Sequence, residues 1–405
     1  MCSPTLITVR REAGRHRKPS PTEFAERGRG YVSRVEDQRT PRPREAGIAI
    51  GRLPTGPHNA ITDVPGVRVG HATVWRDEPD PPAGRGVART GVTAIVPADP
   101  ATLVAEPVPA GTAVLNGAGE LTGSVQIAEW GLIETPVYLT STMQVGRVYD
   151  AACDLAVRDD PTVGDEAVVI PIVGECDDSW LNDARRGQVE ARDVAAALDG
   201  ATDGPVAEGA VGAGTGMVLY EWKGGIGTAS RRVEELDATV GVLLLANFGS
   251  GRDLRIDGVP IGETLVSGIP YGDPAGSCLG VVATDAPLDT AQLRRLAQRV
   301  GLGLARTGSV AHHGSGEIFV AFSTGSRVRR ERGQTHQTRT TVRDERLDPL
   351  FAAVVEAAEE AVVNALWAAP DATGRLGRTV PGLPHAPAIE LLRAAGRLSG
   401  GSATG

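Results

Sequence analysis

Five short runs of the chain, VTAIVPA (92–98), TAVLNG (112–117), VGVLLLAN (240–247), GVVATD (280–285) and EIFVAFS (317–323), are apolar at successive positions and bounded by turn residues. Side chains alternate between the two faces of a strand, so such a run presents apolar groups on both faces and needs cover above and below. The chain must stack layers on its sheets. Two segments have the spacing of covering helices. Asp289 and Gln292 form a capping pair ahead of Leu293, Leu296, Ala297, Val300 and Leu304. Asp348-Pro349 reads as a cap and a first-turn proline, followed by Phe351, Val354, Val355, Ala358, Val362 and Leu366 on one face. The expectation is an α/β layered body.

With 405 residues and 41% hydrophobic content, the chain can bury a sizeable core. No apolar stretch reaches the roughly 18 residues needed to span a bilayer, so a membrane role has no support. Residues 1–45 hold eleven Lys/Arg against six Asp/Glu, a local excess of five positive charges; with −9 for the whole chain, the remainder carries −14. Residues 1–46 therefore read as a basic, disordered extension, too polar for a signal peptide, with weak nucleic-acid contact as the sharper alternative. Residues 47–386 read as a single domain, with no internal repeat and no Pro/Ser-type linker, and 387–405 as a flexible tail. Cys2, Cys153, Cys176 and Cys278 have no CxxC spacing and the seven histidines no HExxH pair. This favours a reducing compartment and gives no case for a disulfide framework or a metal.

Gly212, Gly214 and Gly216 superficially resemble a nucleotide-binding loop, but they lead into the strand-like MVLYEW and no Walker lysine follows, so they read as turn glycines. Asn247 ends an apolar strand. Its amide suits the stabilisation of an oxyanion, although on these residues alone a turn-forming asparagine is the preferred reading. His312 and His313 lie in a glycine-flanked loop and read as solvated. Ser315 and Glu317, two residues apart at a strand start, place a hydroxyl and a carboxylate on one face. Gly276-Ser277 puts a serine at the head of the 280–285 run. If the bond before it were cut, the freed α-amino group, with a reference pKa of about 7.7–8.0, would serve its own hydroxyl as a base. Glycine before it eases approach to the preceding carbonyl.

The phrases ITDVPGVRVGHATV, RTGVTAIVP, VLNGAGELTG, YLTSTMQVGRVYDA, VGECDDSWLND, EGAVGAGTGM, KGGIGTASR, GSCLGVVATDAPL, GLARTGS, SGEIFVAFSTG and EEAVVNAL run in order over roughly residues 61 to 366, about three quarters of the chain. In them the sequence resembles the self-processing L-aminopeptidase/D-esterases and β-aminopeptidases, peptidase family S58. The resemblance implies an αββα-like sandwich similar to that of N-terminal nucleophile hydrolases, with different strand connectivity. It implies Ser277 as nucleophile, Gly276-Ser277 as the autocleavage bond, Asn247 as oxyanion donor, and Ser315 and Glu317 as the pair orienting the nucleophile's hydroxyl and new amine. Glu175 would face the substrate's free amine, with Asp177 beside it. This sequence departs from the family pattern at Asp177, where a tyrosine is common, and at Ser141 and Ala118, where asparagines are common.

The expected activity is that of a cofactor-free, cytoplasmic serine aminopeptidase or amidase, acting on small peptides, amides or esters with a free amino end. The expected assembly is an oligomer of processed pairs, with no nucleic-acid or membrane partner. Two alternatives stay open: an uncleaved, non-catalytic binding or scaffold relative, and an acyltransferase resembling ornithine acetyltransferase. The latter group has threonine where Ser277 stands.

Overall fold

The computed structural model describes residues 41–269, 276–331 and 333–398. In chain order the strands are β1 (Arg68–Asp77), β2 (Val87–Val96), β3 (Val108–Gly117), β4 (Leu132–Ile133), β5 (Val137–Ser141) and β6 (Ile172–Cys176). They continue with β7 (Val218–Leu219), β8 (Trp222–Lys223), β9 (Gly225–Val233), β10 (Ala238–Asn247), β11 (Ser277–Thr284), β12 (Gly316–Ser323), β13 (Ala372–Thr373) and β14 (Thr379–Val380). The helices are α1 (Ser124–Trp130), α2 (Val145–Asp159), α3 (Ala191–Asp199), α4 (Thr290–Arg306), α5 (Asp348–Ala368) and α6 (His385–Ala394).

Two mixed sheets stack face to face. One has the order β1-β2-β5-β6, the other β4-β3-β12-β11-β10-β9. Helices α2 and α3 cover the smaller sheet, and α4 and α5 the larger. Three apolar clusters fill the three gaps of this four-layer stack. Val281, Leu243 and Ile318 point between the sheets; Val282, Leu244 and Phe319 face α4 and α5; Val92, Ala94 and Val173 face α2 and α3. Neighbouring residues of one strand thus enter different cores, as the runs apolar on both faces require. The expected α/β sandwich of αββα type is the observed architecture.

All five expected strands form, most of them longer than the apolar run alone. The cap of α4 is also as expected: the Asp289 carboxylate accepts from the Gln292 N–H at 2.9 Å, and the Gln292 side chain accepts from the Asp289 N–H at 3.2 Å. Helix α5 differs in two respects. Leu347 occupies the cap position and Asp348 is already helical, without a side-chain cap bond. The helix is also buried almost all round rather than on one stripe, including Glu356, Glu359 and Glu360. Those carboxylates have partners. Arg231, fully buried on β9, lies 3.1 Å from Glu356 and 2.6 Å from Glu360, while Arg44 lies 2.6 Å from Glu360 and Arg306 3.2 Å from Glu359.

The ends of the chain correct the expected boundaries. Residues 1–40 of the expected extension lie outside the described residues. Arg42, however, pairs with Glu208 at 2.9 Å and donates to the carbonyls of His58, Asn59 and Thr228, so together with Arg44 it ties the end of that segment to the body. The expected tail, 387–405, begins inside α6, which buries Ala388 and Leu392 against the α5 side of the core. Residues 399–405 lie outside the described residues.

Candidate active site

Strand directions bring the chemistry to one end of the stack. Strands β10 and β3 run toward it and end there, while the parallel pair β11 and β12 begins there. Ser277, the first residue of β11, is paired with Asn247, the last of β10, and across the other side with Gly316 of β12. Strand β6, which ends at Cys176, brings Glu175 to the same place. A cavity of about 840 Å³ opens there, its walls including Glu175, Asp177, Asn247, Gly276 and Ser277.

The Ser277 hydroxyl donates to the carbonyl of its own predecessor, Gly276, at 2.7 Å. The same carbonyl accepts from the Gly316 N–H at 3.1 Å. A hydroxyl and a polarised carbonyl are therefore in contact across the bond that separates them in sequence. Glycine is required at 276 by its surroundings: a Cβ there would lie 2.1 Å from the Asn247 carbonyl oxygen and 2.7 Å from the Phe248 Cα.

Asn247 is buried, and its amide orientation is fixed from both sides. Its Oδ1 accepts from the Val218 N–H at 2.7 Å, and its Nδ2 donates to the Asp177 carbonyl at 2.9 Å. A flipped amide would set donor against donor and acceptor against acceptor. One Nδ2 hydrogen remains beyond the bond to Asp177, and Asn247 lines the cavity beside Ser277. Asn247 thus ends a ladder strand rather than opening a turn, with its amide held in one orientation in the cavity wall.

The Ser315 hydroxyl donates to Glu317 Oε1. Glu317 is fully buried, its other oxygen has no hydrogen-bond partner among the described residues, and burial pushes its carboxyl above the usual range. It pairs with Cys278, next to Ser277, in the parallel register. An unpartnered acceptor in such a place suits a cation or a proton.

Glu175 Oε1 accepts from the Glu120 N–H at 2.9 Å and Oε2 from the Thr142 hydroxyl. Burial raises its carboxyl despite both bonds. Thr142 escaped attention in the sequence although it stands in the quoted LTST phrase; only the fold shows that it faces Glu175. Asp177 folds back on Ser179, accepting from its N–H and hydroxyl, both at 2.9 Å. Its carbonyl, rather than its exposed carboxylate, serves Asn247. The two other departures take separate roles: Ser141 donates to buried Asp178 at 2.8 Å, and Ala118 lines the cavity.

The glycine loop forms a 3-10 turn, Gly212–Gly216, packed closely on backbone; a Cβ at Gly216 would lie 2.1 Å from the Arg89 carbonyl oxygen. The run after it is not one strand but the hairpin β7–β8, turned at Tyr220 and Glu221 with φ of 51° and 62°. His313 is exposed and His312 half-buried, and Asn116 and Ser315 bond the His312 backbone carbonyl, not its ring.

The family model of peptidase family S58 matches residues 59–380. The chain is 43% identical over 372 residues to the β-peptidyl aminopeptidase BapA of Sphingosinicella xenopeptidilytica, covering 87% of this chain and 91% of that protein. Among solved structures, it is similar to a Burkholderia β-aminopeptidase (TM-score 0.81, 43% identity, 88% of this chain and 99% of that one). It is also similar to the L-aminopeptidase D-Ala-esterase/amidase of Ochrobactrum anthropi, described as a prototype for the serine aminopeptidases and a new variant of the Ntn hydrolase fold (TM-score 0.83, 39% identity, 89% of this chain and 100% of that one).

Proposed function

We propose that this chain, which belongs to peptidase family S58, is an autoprocessed serine aminopeptidase that releases N-terminal residues from small peptides, amides or esters through an acyl-enzyme on Ser277. The observation that carries this reading is the 2.7 Å contact between the Ser277 hydroxyl and the Gly276 carbonyl, in the wall of a cavity that also holds a buried carboxylate.

In maturation, Ser277 Oγ bonds to the Gly276 carbonyl carbon while its proton passes toward the Ser315–Glu317 pair. The Gly316 N–H steadies the carbonyl oxygen as it gains charge. The C–N bond breaks, the serine nitrogen takes a proton, and water hydrolyses the resulting ester. The products are a Gly276 carboxylate and a Ser277 with free hydroxyl and free amine. The unpartnered Glu317 oxygen then has an N–H of the new amine to accept.

In turnover, Ser277 attacks the substrate carbonyl and its amine accepts the hydroxyl proton. Asn247 Nδ2 supports the oxyanion, and the proton passes on to the departing amine. Water then releases the acyl group. Glu175 pairs with the substrate's ammonium; a cation leaving water needs such a partner, which selects unblocked amino ends.

Intact mass of the purified protein beside Ser277→Ala tests the reading. The expected result is two fragments divided at Gly276/Ser277, absent from the variant, together with hydrolysis of aminoacyl p-nitroanilides. An uncut, inactive chain in both samples would overturn it. The relatives named β-peptidyl aminopeptidases add N-terminal β-residues to the substrate series. Free Cys153, Cys176 and Cys278 fit a reducing cytoplasm. Exposed Val114 and Leu115 on β3, with Leu302 on α4, supply an apolar surface for self-association, which light scattering measures.

A further inference from the structure

The cavity has a basic wall that takes no part in the chemistry above. Arg375 and Arg378 line it together with Glu175 and Ser277. They flank the tip of the β13–β14 hairpin, where Leu376 and Gly377 have φ of 59° and 68°. The tip is pinned: the Gly374 N–H donates to the Arg378 carbonyl at 2.9 Å, the Arg375 N–H donates to the Leu181 carbonyl at 2.7 Å, and a Cβ on Gly374 would lie 2.2 Å from that same oxygen. The hairpin is thereby held to the segment that supplies Asp177 to the site.

Neither guanidinium is satisfied by a close carboxylate among the described residues. Arg375 Nε is buried without a hydrogen-bond partner, and the Asp183 carboxylate it approaches at 4.0 Å is already held by Arg185 at 2.8 and 2.5 Å. Arg378 stacks over Trp180 at 4.1 Å and donates to the Trp180 carbonyl at 3.2 Å. Two guanidinium side chains in the wall of one cavity supply the donors that a planar anion takes.

We propose that Arg375 and Arg378 bind a carboxylate on the leaving side of the scissile bond, making short peptides with a free C-terminus, dipeptides foremost, the preferred substrates. This rests on the aminopeptidase reading. With the ammonium on Glu175, a second charged wall in the same cavity meets the part of the substrate beyond the cut bond. A cavity of about 840 Å³ holds a drug-sized molecule, so the chain end of a short peptide falls within it and that of a long one does not.

The test compares kcat/KM for a dipeptide, its C-terminal amide and an aminoacyl p-nitroanilide, in the processed enzyme and in the Arg375→Gln/Arg378→Gln variant. The unsubstituted enzyme should favour the free acid over the amide by about tenfold or more, mainly through KM, and the ratio should shrink as salt is added. The variant's ratio should fall to near one. Arg375→Lys and Arg378→Lys, which keep charge but lose the fork, should give intermediate ratios, and serve if the double variant does not fold. An acid-to-amide ratio near one in the unsubstituted enzyme, or a ratio that survives in the variants, overturns the proposal. Failure to hydrolyse any of the three would instead overturn the aminopeptidase reading.

Discussion

Replacing Gly276 with alanine should stall maturation without removing any group that reacts. The added methyl would stand 2.1 Å from the Asn247 carbonyl oxygen and 2.7 Å from the Phe248 Cα. Unstrained carbon contacts lie at about 3.5–4.0 Å, so the two backbones must part by about 1 Å. Both neighbours belong to backbone in or just after β10, and neither can swing aside as a flexible side chain would. The displacement falls on the Gly276 carbonyl, now 2.7 Å from the Ser277 hydroxyl and 3.1 Å from the Gly316 N–H. A misplacement of about 1 Å at a reacting centre costs about 100-fold, or about 2.7 kcal/mol of barrier. Intact mass, sampled over time after the chain is made, should show the Gly276→Ala precursor persisting about 100 times longer than the unsubstituted one. A circular dichroism spectrum matching that of Ser277→Ala would establish that the uncut variant is folded. Cleavage at the unsubstituted rate would refute the argument that close backbone packing sets up the reaction.

Asn247→Ala should lower kcat by about 10²–10³-fold with little change in KM, since the lost donor acts on the developing oxyanion; steady-state kinetics on an aminoacyl p-nitroanilide reads the split. Glu175→Gln should lower kcat/KM for free-amine substrates by about 10²-fold. Because burial raises the Glu175 carboxyl above its ordinary value and only the carboxylate pairs with ammonium, activity should fall as pH drops through that raised value; a pH profile of the variant should lose this limb. Arg231→Met should leave Glu356 and Glu360 buried and short of a partner, destabilising the fold by about 3–5 kcal/mol in urea denaturation. Burial works against the Glu360 charge, yet Arg44 and Arg231 hold its carboxyl below the ordinary value. Its contribution is therefore present above the unfolded pKa and lost as pH falls through the folded one, a loss that Arg231→Met should reduce.

The elements legible in the sequence are those whose environment is written in their own residues. VGVLLLAN and EIFVAFS are apolar at successive positions inside their polar ends and read as buried strands. GIGTASRRV is strand β9 yet carries two arginines in succession. Arg231 is buried there because α5, over a hundred residues later, brings Glu356 and Glu360 to it. The single apolar face expected for α5 left those carboxylates out, and the fold buries them as well. Each half of a buried ion pair looks exposed until the other is known. The site divides in the same way. Ser277, Asn247, Ser315, Glu317 and Glu175 were legible through short phrases resembling a known family. Thr142, the Gly316 N–H and the two arginines at the β13–β14 tip were not, since their roles depend on contacts made across the fold.

The glycine loop is one place where a structural role and a catalytic one meet. Gly212–Gly216 holds no nucleotide signature, but its tight packing lets the β7–β8 hairpin fold beneath the site. The buried Lys223 ammonium donates to the carbonyls of Gly214, Met217 and Gly224 at 3.2, 2.8 and 2.8 Å, fastening the loop to the hairpin. Met217 is followed by Val218, whose N–H grips Asn247 Oδ1. Burial lowers the Lys223 pKa to about 7, and the nearby Asp178 carboxylate works against that shift. The Val218 N–H and the Asp177 carbonyl set the direction of the Asn247 amide, and the lysine, spending its three donors on backbone, fastens the segment that carries Val218. An asparagine held only by its own strand would be free to turn its oxygen instead of its N–H into the cavity, against the oxyanion role proposed for it. The glycines make this support possible, because a side chain at 214 or 216 would separate the loop from the strands that hold it.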